Sequence, residues 1–406
     1  MQVKSSPDAR RRGRPDLPLR IALVHGFGSP AHPRGEDEAV RDQAAALRRI
    51  GCEVSIVGAS TDDRPRGLLR AARTGAELAL GLGRCPDQEL RQLQPHVVHV
   101  HNLFPAFARG WLRRWAGPLI ATVHNYRPMC AAATLFRDGQ VCTRCLDGSP
   151  WTGVRHRCFR QSAVATVPLA LAARRGAARD PLLSRADRIA VPSQLSWDLY
   201  RKAGLPVERL ALLPHFVPQP PSAGAPTDGV GRWAYVGRLS REKGVVDMLR
   251  RWPTTEPLDV VGDGDLAREC RRAAPPSVRF VGTLDREEVR RRMPWWTGLV
   301  FPSRGFESAP LVYPEALAAG LPVVAWAGSS VAYAVRLHET GAVVGRGERL
   351  GPILDSVRHR RPSLREHCRH AYQAEFSEAR WAELTLRVYR QAAQRRVALQ
   401  TERGTG

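Results

Sequence analysis

Between Leu299 and Val324 the chain reads LVFPSRGFESAPLVYPEALAAGLPVV, and its prolines limit what it can become. Pro310 and Pro314 forbid one continuous helix, because an interior proline removes a backbone donor and clashes with the preceding turn. Leu299 to Phe301 therefore reads as a buried strand and Glu307 as part of the loop after it. Proline is welcome in a first helical turn, so a short helix opens at Pro314 with Glu315 in that turn. Gly320 stops it, and Val323 and Val324 start a second strand. Ligands of open parallel sheets gather where strands end and helices begin, which places both carboxylates at one crevice. A plainer reading stands beside this one: such a unit is common in α/β proteins, and a first-turn Glu also answers the helix dipole.

The rest of the chain repeats the alternation. With 406 residues it exceeds one comfortable core, and two domains are expected. In the first half, strands are read at Arg20–Val24, Glu53–Val57, His96–Val100, Leu119–Val123, Ala186–Ser193 and Leu210–Leu213, and helices at Ala39–Ile50 and Pro168–Leu183. Residues 61 to 94 are mostly helical in composition, and Ser193 caps a helix from Leu195 to Ala203. The segment PQPPSAGAPTDGVG, residues 218–231, is a linker by its Pro, Gly and Ser content. Beyond it come strands at Trp233–Val236, Leu258–Val261 and Val278–Val281, the opening unit, and a last strand near Gly341. A final helix begins at Phe376–Ser377 and carries Trp381, Leu384, Val388 and Tyr389. This order predicts two doubly wound, Rossmann-like α/β domains: 20–217 after a basic tail at 1–19, and 232–375, with 376–406 as a terminal helix.

Chemistry-bearing residues fall in the loops. After the first strand, His25-Gly26-Phe27-Gly28 is small enough for amides such as that of Gly28 to approach an anion. His99 reads as a hydrogen-bonded core histidine, while His101 and Asn102 lie nearer the crevice. His124 and Asn125 follow the strand at Leu119. In Gly237-Arg238-Leu239-Ser240-Arg241-Glu242-Lys243-Gly244, a planar fork and a mobile ammonium five residues apart can grip a diphosphate. Gly262-Asp263-Gly264-Asp265 contains a formal D-x-D, a pattern used elsewhere to hold metal, but its glycines read as a turn. Cys130, Cys142, Cys145 and Cys158 fall in an insert at 126–160, two of them as C-x-x-C. A structural zinc held by four thiolates and a set of reduced packing thiols both fit that spacing.

Several of these motifs, in this order, resemble the family 4 retaining glycosyltransferases. The seven-residue gap from Glu307 to Glu315 with the trailing EALAAGLPVV resembles the E-x7-E signature, and GRLSREKG resembles G-R-L-x-x-x-K-G. Pro214-His215-Phe216-Val217 is similar to L-P-N-G/F-V with His for Asn, and Arg34-Gly35-Glu36 lacks one glycine of Gly-Gly-Glu. The block H-N-Y-R…L-F-R-D-G…C-x-x-C…R-C-F-R resembles a Cys-rich subgroup of the family. The resemblance implies a GT-B fold, two domains facing across a cleft, and a nucleotide-diphosphate sugar donor bound without a metal cofactor. It implies that Arg238 and Lys243 stabilise the departing diphosphate, that Glu307 orients the sugar and that His124 meets the sugar-diphosphate region. Glu315 would take the ribose hydroxyls. Gly237, Gly262 and Gly28 would shape the nucleotide site, and Thr283 and Leu284 would hold the base through the main chain. The acceptor is a glycan, a lipid-linked glycan or a small molecule. A sugar phosphorylase and a nucleotide-sugar epimerase share the fold and remain as alternatives.

The formal charge of +23 favours anionic partners. No aromatic RNA-reading signature, zinc-finger spacing or heptad basic region appears, so a nucleic-acid binder is the weaker use of that charge. Anionic lipid at the inner face of the cytoplasmic membrane suits it better. The start, Met1 to Leu19, has no apolar middle, so a cytoplasmic protein is expected.

Overall fold

The computed structural model describes residues 18–28, 35–60, 83–219, 231–345 and 347–404. Two six-stranded parallel sheets organise them, beside a separate antiparallel hairpin of two short strands in the insert. The first sheet is built from β1 (Arg20–Phe27), β2 (Glu53–Ser60), β3 (Val97–Asn102) and β4 (Leu119–Thr122). The hairpin is β5 (Phe136–Arg137) with β6 (Gln140–Val141); β7 (Arg188–Val191) and β8 (Leu210–Leu212) complete the first sheet in the order β2-β1-β3-β4-β7-β8. The second sheet has β9 (Trp233–Val236), β10 (Leu258–Val261), β11 (Val278–Gly282), β12 (Leu299–Phe301), β13 (Val323–Trp326) and β14 (Gly341–Val344). Its order is β11-β10-β9-β12-β13-β14.

Strands buried on both faces are apolar at consecutive positions, and Ile21–Val24 of β1 and the whole of β12 show it. In β1, Ala22 and Val24 enter one core while Ile21 and Leu23 enter the core on the opposite face. In β12, Leu299 and Phe301 face one side and Val300 the other. The winding reverses between β1 and β3 in the first sheet and between β9 and β12 in the second. A crevice opens at each reversal, outside the carboxyl ends of the strands.

The final helix, Glu378–Gly404, follows the second sheet in sequence but packs on the first. Trp381, Val388, Tyr389 and Ala392 share a core with Ile21 and Leu23, and Trp381 lies 4.8 Å from the Phe216 ring. The Ser377 hydroxyl accepts from the Arg380 amide at the helix start. Ser193 caps the helix Gln194–Lys202 in the same way, accepting from Ser196 N at 3.2 Å.

Two expectations need correction. The helix read at Pro168–Leu183 is three pieces: Ala163–Ala173, a turn at Ala177–Arg179 and Pro181–Arg185. Ser162 caps the first piece early, Gly176 at φ +78° breaks the run, and Asp180 caps the last through Leu182 and Leu183. The helix expected to open at Pro314 starts at Val312, which still leaves Pro314 in the first turn. The tail at 1–17, most of 61–94 (residues 61–82) and the heart of the linker (220–230) lie outside the described residues.

Candidate active site

The loop after β9 and the loop after β12 flank the reversal point of the second sheet. They are locked together by the main chain, since Glu242 O accepts from Arg304 N at 2.9 Å and from Gly305 N at 3.1 Å. Gly244, at φ +67°, makes this packing possible, because a Cβ there would sit 2.2 Å from Pro302 O. Lys243 and Glu307 meet across the junction in an ion pair, with both side chains about one-fifth exposed. Glu307 accepts a second hydrogen bond from the Ser303 hydroxyl at 2.5 Å, and Ser303 is itself buried. Arg238 stands free of this cluster. Its side chain is 71% exposed and 3.8 Å from Glu242, too far for a hydrogen bond.

The glycines behave as spacers. Gly262, at φ +128°, holds its Cα against the loop after β9, and a Cβ would lie 2.1 Å from Gly237 O. Within the D-x-D, Asp263 turns back to accept from the Gly264 amide at 2.8 Å. Thr283 is exposed and Leu284 half-buried at the end of β11. Glu315 lies deep in the helix Val312–Ala318, 7% exposed. Burial pushes its carboxyl pKa up, while Arg286 and Arg290 pull it down. Arg286 donates to it at 2.6 Å, a partner that sequence reading missed.

Across from these loops, the carboxyl edge of the first sheet carries a run of histidines. His25 Nε2 and Asp37 Oδ1 are 2.8 Å apart, both side chains buried. The Gly28 amide points to the same carboxylate at 3.2 Å, so in this arrangement it faces an acid instead of a phosphate. His99 is the core histidine expected, held by Tyr389 at 2.9 Å and Thr122 at 2.7 Å. His101 stacks on it at 4.2 Å and reaches His124 with Nδ1 to Nε2 at 3.0 Å. His124 stacks in turn on His215 at 5.0 Å, and His215 contacts Gln43 at 3.3 Å. Burial depresses the pKa of His99 to about 3 and that of His215 to about 4, and holds His101 well below the usual value. These three are neutral imidazoles at any ordinary pH.

The two edges touch. Ser308, next to Glu307, donates to the backbone carbonyl of His124. A hollow open to solvent lies beside this contact at the ends of β3 and β4. His101, Asn102, His124 and Arg127 line its polar side, and Leu169, Leu182 and Leu183 its apolar side.

Cys130, Cys142, Cys145 and Cys158 are free thiols, each half-buried. Burial, with the three neighbouring thiols adding to it, raises the Cys145 pKa to about 11. Yet among the described residues no group of three or more His, Cys, Asp or Glu side chains is arranged to hold a metal ion.

Comparison with known proteins now decides the family. A model described as Glycosyltransferase Family 4 matches residues 35–219, and one described as Glycosyl transferases group 1 matches residues 231–352. The chain belongs to glycosyltransferase family 4. A glycogen synthase of Mycobacterium tuberculosis is 37% identical over 118 residues, 26% of this chain. The match spans only 28% of the length of that curated relative. In fold, this glycosyltransferase is similar to sucrose-phosphate synthase from Thermosynechococcus elongatus, with TM-score 0.64 and 20% identity over 92% of this chain and 98% of that one. It is similar also to Anabaena HepE, solved in complex with UDP, with TM-score 0.55 and 16% identity over 91% and 99%. The two parallel α/β sheets facing across a cleft are a GT-B fold.

Proposed function

We propose that this family 4 protein transfers a sugar from a nucleoside diphosphate sugar to an acceptor hydroxyl, with retention of configuration at the anomeric carbon. The observation that carries the reading is the Lys243–Glu307–Ser303 cluster at the reversal of the second sheet, opposite His124 on the first. Without donor, Lys243 and Glu307 neutralise each other. A diphosphate arriving beside them gives Lys243 a stronger anionic partner and frees Glu307, still held by Ser303, to accept from sugar hydroxyls. Arg238, exposed and only loosely paired with Glu242 at 3.8 Å, swings onto the same diphosphate.

In the transfer, the bond from the anomeric carbon to the diphosphate oxygen breaks, and a bond to the acceptor oxygen forms on the same face. The acceptor proton passes to the departing phosphate oxygen, so no side chain has to act as base. Lys243 and Arg238 stabilise the charge that develops on the diphosphate. His124, whose Nε2 is within hydrogen-bond distance of His101 Nδ1, can meet a sugar hydroxyl. Gly237 and Gly262 set the loop spacing for the nucleotide, Glu315 takes the ribose diol, and the main chain at Thr283 and Leu284 reads the base. HepE's bound UDP makes a uridine nucleotide the first donor to test.

The acceptor side favours an amphiphile. The hollow beside His124 has an apolar wall from the helix Ala163–Ala173, on which Val164 is 83% exposed. From Gly148 to Arg179 there are six arginines and no Asp or Glu. Positive charge flanking a helix with an exposed valine suits an anionic bilayer surface, and hence a lipid-linked acceptor. Among the described residues no helix is long and apolar enough to cross a membrane. The test is incubation with a panel of UDP-, GDP- and ADP-sugars, scoring slow donor hydrolysis and, with acceptor, the anomeric configuration of the product by NMR. An inverted product removes the retaining assignment, and failure to bind or hydrolyse any donor removes the reading.

A further inference from the structure

Arg286 matches no motif, yet it sits between two carboxylates in the cleft. It opens the helix Arg286–Arg292 behind the Asp285 cap, whose carboxylate accepts from Glu288 N at 2.7 Å. Its guanidinium lies between carboxylates of two different domains. Nε donates to Glu315 Oε1 at 2.6 Å, and Nη1 donates to Asp42 Oδ2, also at 2.6 Å. Nη2 is buried without a partner among the described residues. Asp42 belongs to the helix Gly35–Arg49, which packs on the first sheet.

We propose that Arg286 is a positioning residue for the donor ribose: it holds Glu315 ionised and oriented, and through Asp42 it makes that hold depend on the first domain being seated across the cleft. The proposal rests on the reading of Glu315 as the acceptor of the ribose hydroxyls. A carboxylate this deeply buried stays charged only with a cation against it. Arg286 supplies that cation through Nε and one oxygen, leaving Oε2 and the spare lone pairs for two hydroxyl donors. A guanidinium left to itself pairs with a carboxylate through two parallel bonds, which would consume both oxygens. Asp42 draws Nη1 away and prevents this. The first domain thus keeps the ribose site of the second open, and by linkage a nucleotide bound there favours the seated arrangement.

The test is calorimetric. Whichever of UDP, GDP, ADP and CDP binds most tightly is titrated beside its 2′,3′-dideoxy counterpart, and the ratio of the two dissociation constants measures ribose recognition. Two hydroxyls donating to a charged carboxylate should give a ratio of about a hundredfold in the unaltered protein. Arg286→Gln and Asp42→Asn should each cut it to about tenfold or less, and Arg286→Lys, which keeps the charge, should recover part. A merely structural role would weaken both nucleotides alike and leave the ratio intact. An unchanged ratio in Arg286→Gln and Asp42→Asn, with Glu315→Gln abolishing it, overturns the proposal alone. Should Glu315→Gln also keep the ratio, the ribose reading fails and takes the proposal with it. If Arg286→Gln does not fold, Asp42→Asn decides: a ratio equal to that of the unaltered protein refutes the dependence on the first domain.

Discussion

Acid should destabilise this protein well before its carboxylates are neutralised, and the histidine run says by how much. His99 and His215 have pKa values of about 3 and about 4, both depressed from 6.5 mainly by burial. For a base depressed in the folded state, the unfolded chain takes up the proton first. The stability is therefore complete above pH 6.5 and is lost as pH falls from there toward the folded pKa. At pH 5 each ring is still neutral when folded and almost wholly charged when unfolded. The gap from 6.5 corresponds to about 2 kcal/mol per ring, or about 4 kcal/mol for the two, at about 1.4 kcal/mol per pH unit. His101 acts in the same direction. Urea unfolding at pH 8 and pH 5 measures the loss, and His215→Asn isolates one ring from every other titrating group. Stability lost between those pH values should be smaller in His215→Asn by about 2 kcal/mol. Equal losses in the two proteins, or an NMR titration placing His215 near 6.5, would refute the reasoning.

Other outcomes follow from the cleft and its surroundings. Lys243→Ala should lower kcat by about 10²- to 10³-fold with the circular dichroism spectrum unchanged, the usual loss when one charge-stabilising donor is removed; a variant with normal turnover ends that assignment. Gly262→Ala should destabilise the second domain by about 3 kcal/mol or more in thermal unfolding, because its Cβ would meet Gly237 O at 2.1 Å on a backbone with φ +128°, and an unchanged Tm would contradict the close approach. Val164→Asp, and separately Arg174→Glu with Arg175→Glu, should weaken sedimentation with phosphatidylglycerol vesicles several-fold without affecting donor hydrolysis. Binding of the unaltered protein to phosphatidylcholine alone at equal strength would dismiss the anionic surface.

Much of this architecture was legible because it is written locally. Strands such as Trp233–Val236 and Leu258–Val261 were readable to the residue, since a strand buried on both faces is a short apolar run with a glycine behind it. Lys243, Glu307 and Glu315 could be placed on loops and first turns by proline and glycine positions alone. Less legible was the segment around Ala163–Ala173, where helix-forming composition runs on past Gly176 and only the chain path shows the break. The histidines were visible singly, but not as a stack: His25, His101, His124 and His215 lie in or just after the ends of different strands, and nothing in spacing signals that their rings meet.

Arg286 shows the limit most clearly. It is one of 62 Lys and Arg residues, and its partner Asp42 is 244 positions away, so no local pattern distinguishes it from a solvated helix face. What distinguishes it is that both contacts end on carboxylates of opposing domains. A second contact across the cleft, Ser308 to the His124 carbonyl, lies beside Glu307. Each contact therefore ties one acidic residue of the second domain, or its immediate neighbour, to the first domain: Glu315 through Arg286 to a helix, Glu307 through Ser308 to a strand end. Because a main-chain carbonyl cannot be moved without moving β4, and Asp42 cannot be moved without moving its helix, a shift of the first domain as a body disturbs both acids together. Two sites that sequence motifs present as belonging to the second domain alone are in this way set by the position of the first.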